Sequence, residues 1–131
     1  MININYMDIL NNLPMGVYFT DKERQISYWN KAAEAITGYP SDEVIGLHCH
    51  DNVLVHVDED GNSLCKGLCP LAKSITDGLI RQADVFLHHK DGHRASVRVY
   101  TFPLKTEADK IIGGVEIFSD ISAMTAMQLK A

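Results

Sequence analysis

The sequence predicts an α+β domain: a five-stranded antiparallel sheet with short helices packed on one face. Three observations lead there. Strand-like patterning falls in two blocks, residues 16–29 and 83–119. The span between them is punctuated by Pro40, Gly46, Pro70 and Gly78, and the pieces of it with a helical pattern are short. The first block holds two strands, too few to form a stable sheet alone, so they must join the three strands of the second block.

The elements follow in order. Residues 3–13 place Tyr6, Ile9, Leu10 and Leu13 on one side, with asparagines and Asp8 opposite, which is an amphipathic helical pattern stopped by Pro14. Gly16–Thr20 and Gln25–Trp29 read as strands joined by the polar turn Asp21-Lys22-Glu23-Arg24. Asn30 is a good N-cap for the Ala-rich stretch 31–37, and Gly38 supplies the left-handed residue that ends it. Pro40 and Ser41 open another short helix, with Ser41 as cap and Asp42 and Glu43 in the first turn, where the helix dipole favours acids. Residues 47–68 show no period, and Asp58–Asn62 is a turn cluster. Pro70 suits the first position of a helix carrying Leu71, Ile75 and Leu79. From Ala83 the period is two. Ala83, Val85 and Leu87 share one face, Asp91-Gly92 signals a hairpin, and Ala95, Val97 and Val99 share a face of the next strand. Pro103 fits only a strand end or an edge. Residues 111–119 form the last strand, with Gly113-Gly114 allowing close backbone approach. Residues 121–131 regain helical character.

Bulk properties narrow the function. At 131 residues, 46% hydrophobic and 22% charged, the chain suits one globular domain with its own core. No apolar run approaches the roughly 20 residues that span a bilayer, and no signal-peptide pattern opens the chain. Three cysteines, an odd number, argue against a disulfide framework. These features set the expectation of a cytoplasmic domain without direct membrane insertion. A formal net charge of −5 argues against nucleic acid as a partner.

Several segments carry a family likeness. They are Asp21 after the first strand, Trp29-Asn30-Lys31-Ala32-Ala33, Gly38-Tyr39, Glu43-Val44-Ile45-Gly46, Lys90-Asp91-Gly92 and Asp120-Ile121-Ser122. In this order and spacing the chain resembles the PAS sensory family of bacterial signalling proteins, over roughly residues 8–122. The resemblance implies residues 1–13 as an N-terminal flanking helix, 14–120 as the PAS domain and 121–131 as the start of an output or linker helix. It implies a non-enzymatic sensor that binds a small ligand or cofactor, dimerises through its flanking helices, or both. The signal would leave through Asp120 and Ile121 to an output domain of histidine kinase or diguanylate cyclase type.

Candidate site residues follow from alternation and composition. Val85, Leu87, Val97, Val99, Val115 and Ile117 are expected to line the core or ligand pocket. Residues 48–70 concentrate all three cysteines and three histidines, and Cys49, His56, Cys65 and Cys69 could close a four-ligand metal or redox site, although no Cys-x2-Cys pair is present. The alternative is that the cysteines are small buried hydrophobes. His88 and His89 point to opposite faces of a strand and cannot chelate together, and His93 is expected to be exposed. Covalent flavin photochemistry is disfavoured, because the cysteine motif of the photoreceptor branch is absent. Haem is disfavoured too, because the resemblance implies a haem-ligating histidine on the helix before the third strand and residues 71–79 contain none. A noncovalent flavin, a small organic ligand or a metal stay open, as does a ligand-free dimerisation module. No nucleophile elbow or phosphate loop is present.

Overall fold

The computed structural model describes residues 4–48, 56–57 and 69–122. The elements are α1 (Tyr6–Asn11), β1 (Gly16–Asp21), β2 (Ile26–Trp29), α2 (Lys31–Thr37), α3 (Ser41–Val44), α4 (Pro70–Asp77), β3 (Arg81–His88), β4 (Arg94–Lys105) and β5 (Ile111–Asp120). The sheet is antiparallel throughout, in the order β2-β1-β5-β4-β3. The two strands of the first block do join the later three, through β1 against β5.

Local chemistry explains each boundary. The Asp21 carboxylate accepts the backbone N–H groups of Glu23 and Gln25 at 3.0 and 2.9 Å, and this shapes the β1–β2 turn. Asn30 caps α2 by accepting the Ala33 N–H at 2.9 Å, and Gly38 closes the helix at φ +79°. Ser41 does not cap α3 with its side chain. The Glu34 carboxylate reaches across from α2 and accepts the Ser41 N–H at 2.7 Å instead. Helix α4 begins at Pro70 and ends at Gly78, so Leu79 falls outside it and is exposed rather than continuing the Leu71 face.

The core lies between the helices and the inner face of the sheet. It comprises Tyr18, Ile26, Trp29, Ala33, Val44, Cys69, Leu71, Val85, Leu87, Ala95, Val97, Val99 and Phe118. Tyr18, Trp29 and Phe118 form its aromatic centre, with ring centroids 5.6–6.3 Å apart. The glycine pair in β5 lets neighbours close in. A Cβ on Gly113 would sit 1.9 Å from the Thr20 carbonyl oxygen, and one on Gly114 would meet Leu71 and Ile75 of α4.

Pro103 sits within β4 opposite Gly114 of β5. Pairing with β3 begins only at Thr101, so the other side of β4 is open at Pro103 and no ladder bond is lost there. Helix α1 is capped by Asn5 but buries none of its residues. Three of its apolar side chains, Tyr6, Met7 and Ile9, are exposed together with Ile4 before it, and Leu10 is half-buried.

Candidate functional site

The inner face carries a polar centre within its apolar rim. In β5 the residues facing the helices are Gly114, Glu116 and Phe118. Glu116 stands opposite Tyr18 of β1 and Thr101 of β4. All three are buried, Glu116 at 1% exposure. A carboxylate in the middle strand of a sheet is costly unless paired. Its partner is His56, 3% exposed, whose Nε2 lies 3.1 Å from Glu116 Oε2. His56 is held over the sheet by its neighbour, because Val57 exchanges backbone hydrogen bonds of 2.8 and 3.0 Å with Phe86 of β3. Burial works against charge on the His56 ring, but the charge and hydrogen bond of Glu116 outweigh it and raise the His56 pKa.

A second polar contact adjoins this pair. Ser74 of α4 and Thr101 of β4 share a hydrogen bond of 2.8 Å between buried hydroxyls. Glu116, His56, Thr101 and Ser74 thus give the inner face a buried carboxylate–imidazole pair beside a hydroxyl pair. Such a set can recognise a small polar molecule through several directional bonds while the surrounding apolar residues exclude water.

The sequence-predicted residues divide in two. Val85, Leu87, Val97 and Val99 are buried on the inner face, within the core cluster. Val115 and Ile117 belong to the opposite face. They alternate with Gly114, Glu116 and Phe118, so β5 turns them away from the helices. Ile117 lines a groove of about 310 Å³ there with Met15, Gln82, Arg98, Tyr100 and Ser119. Of the proposed metal set, Cys49 and Cys65 lie outside the described residues. His56 is engaged with Glu116, and Cys69 is buried in the core at the start of α4. Glu116, Ser74 and Thr101 were not singled out from sequence. The available signal was an acid in the apolar run Val115-Glu116-Ile117-Phe118.

The exit from the sheet is well defined. Asp120 Oδ1 accepts the Ser122 N–H at 2.8 Å, and the Ile121 N–H donates to the Ser96 carbonyl at 2.9 Å. Asp120 thereby holds the first turn after β5, and Ile121 is tied to β4.

A family model for the PAS domain matches residues 14–123. The chain belongs to the PAS family. Solved structures agree with this PAS fold. The PAS domain of a protein from Colwellia psychrerythraea is 19% identical, with a TM-score of 0.74 over 90% of this chain and 95% of that chain. The PAS domain of nitrogen regulation protein NR(II) from Vibrio parahaemolyticus is 18% identical, with a TM-score of 0.70 over 91% of this chain and all (100%) of that chain. VqmA from Vibrio cholerae is 15% identical, with a TM-score of 0.73; the likeness covers 95% of this chain but only 53% of VqmA. No curated protein matches the sequence. Among the described residues of this PAS domain, no helix is long and apolar enough to cross a membrane.

Proposed function

We propose that this PAS domain is the cytoplasmic sensor of a signalling protein and that its inner face receives a small polar organic ligand at Glu116 and His56. The observation that carries the reading is the buried Glu116–His56 pair in the middle of the sheet, beside the Ser74–Thr101 hydroxyls. A structural core gains little from a buried ion pair compared with apolar residues of the same volume. A binding site gains directional recognition from it. Strand β5 joins this pair to the exit, since Asp120 lies four residues beyond Glu116, about 13 Å along the strand. A ligand that re-bonds Glu116 biases β5, and Asp120 and Ile121 carry the bias to the segment that follows. A histidine kinase or diguanylate cyclase is the output type we favour, on family analogy alone.

Homodimerisation is part of the same reading. Tyr6, Met7 and Ile9 of α1 are exposed together with Ile4, and the outer face of the sheet presents Tyr100 and Ile117. VqmA is described as a dimer, which supports the reading.

The ligand is tested by native mass spectrometry of gently purified protein, followed by a thermal-shift screen of small polar metabolites against wild type and Glu116→Gln. We expect a retained mass, or a stabilising compound, whose effect is lost in Glu116→Gln. A chain that retains nothing and is shifted by nothing, or whose Glu116→Gln variant responds as wild type does, defeats the ligand reading.

A further inference from the structure

We propose that the β3–β4 hairpin holds a divalent transition-metal ion, with zinc as the reference case, on His89, Asp91 and His93. The site lies apart from the Glu116–His56 pair and rests on different residues.

The turn builds the donor set. His89 N–H donates to the His93 carbonyl at 2.9 Å, and Gly92 N–H donates to the His89 carbonyl at 2.9 Å, with Gly92 at φ +100°. This closes the loop so that His89 and His93 stand side by side. Their rings stack with centroids 4.3 Å apart and planes 17° apart. Asp91 lies between them. Its Oδ1 is 3.1 Å from His89 Nδ1 and also contacts His93 Nδ1. One ligand atom from each of the three residues falls within 4.8 Å of the others.

In a tetrahedral zinc site with bonds near 2.0–2.2 Å, donors stand about 3.3 Å apart, so the set closes on an ion by movements of about an ångström. Two imidazole nitrogens and one carboxylate oxygen suit zinc, copper(II) or nickel(II), and water completes the coordination. The His89 Nδ1 lone pair already points into the turn, where it accepts the Asp91 N–H at 3.1 Å. A metal takes that lone pair, and solvent takes up the exposed amide.

The hairpin is held in place before any ion arrives. Lys90 N–H donates to the Thr37 carbonyl at the end of α2, at 2.8 Å. The His89 ring packs against Gly38, where an added Cβ would lie 2.8 Å from its Cε1. The Lys90 ammonium is drawn to Glu43, at 2.8 and 2.9 Å from its carboxylate oxygens, so its charge is engaged elsewhere. His93 and Asp91 are 57% and 61% exposed, which leaves an open path for the ion. A bound ion ties both ends of the hairpin to its tip and stiffens the ribbon where it docks on α2.

The test titrates zinc or cobalt(II) ions alone into the 131-residue chain with its three cysteines in place. Calorimetry gives affinity and stoichiometry. The cobalt absorption spectrum separates nitrogen–oxygen ligation from thiolate ligation. We expect saturable binding that weakens about tenfold or more in His93→Ala and in Asp91→Asn, with circular dichroism unchanged, since both side chains are exposed. The cobalt spectrum of the site lost in these variants should lack a thiolate charge-transfer band. Binding that is absent, indifferent to both substitutions, or accompanied in the affected site by thiolate charge transfer overturns the proposal.

Discussion

Asn30 shows how much one side chain can organise. Its Oδ1 accepts the N–H groups of both Val17 and Ala33 at 2.9 Å, and its Nδ2 donates to the carbonyls of Leu10 and Met15 at 2.8 and 3.1 Å. It is fully buried. The sequence identified the helix cap, but not the three further bonds, because their partners lie in segments that the fold brings together. A cap alone is worth on the order of 1 kcal/mol. Removing this one also strands the buried Val17 N–H, so Asn30→Ala should cost about 3 kcal/mol in chemical denaturation. A loss no larger than that of an ordinary cap would mean that the α1–β1 contacts add nothing.

The His56–Glu116 pair makes a pH prediction. The His56 pKa is raised in the folded state. Its stabilising contribution is therefore full below the unfolded value near 6.5 and is lost as pH rises through the higher folded value. Unfolding midpoints measured between about pH 6 and about pH 9 should fall for wild type. The corresponding component of the fall should vanish in His56→Asn. Identical pH profiles for the two proteins would place the His56 titration elsewhere.

Among the elements, β5 is the one whose sequence misleads. Both faces of the sheet carry apolar side chains, so Val115 and Ile117 look as suited to the interior as Phe118. The inward row is set instead by the small Gly114 beneath α4, and by Glu116, which a histidine distant in sequence partners. Neither determinant is visible in local alternation. The Glu34 cap on α3 was hidden for a similar reason: it comes from the preceding helix, where the eye looks to Ser41. By contrast, the hairpin at Asp91-Gly92 and the helix stops at Gly38 and Gly78 depend on backbone geometry that their own residues dictate, and these were legible. The two β5 glycines should respond differently to the same change. Gly113→Ala drives a methyl into the Thr20 backbone and should cost more than about 4 kcal/mol or prevent folding. Gly114→Ala meets the ends of Leu71 and Ile75, which can shift, and should cost about 1–2 kcal/mol. Equal losses in denaturation would contradict the close approach of β1 to β5.

At the scale of the whole molecule, the strand content, the hairpins and the joining of the first two strands to the later three were legible, whereas the order that sets β1 beside β5 and the polar centre of the inner face were not. The proposed dimer belongs to this scale too. Because α1 buries none of its residues in the monomer, Ile9→Asp should leave the fold of the isolated domain unchanged by circular dichroism. Sedimentation velocity should then show the dimer dissociating more readily than wild type on dilution. A sedimentation profile unaltered by Ile9→Asp would remove α1 from the interface.

The strand order also governs how the chain reaches this fold. During synthesis β1 and β2 emerge first, yet the partner that anchors them, β5, is made last of the strands. Until residues 111–120 are available, β1 on one side and β4 on the other each present an unpaired strand edge, and such edges invite pairing with other chains. Joining them closes a long loop late, which slows folding relative to a domain of local contacts. A nascent or truncated chain that stops before β5 therefore holds two separate ribbons, and its hazard is association with its neighbours rather than simple loss of stability.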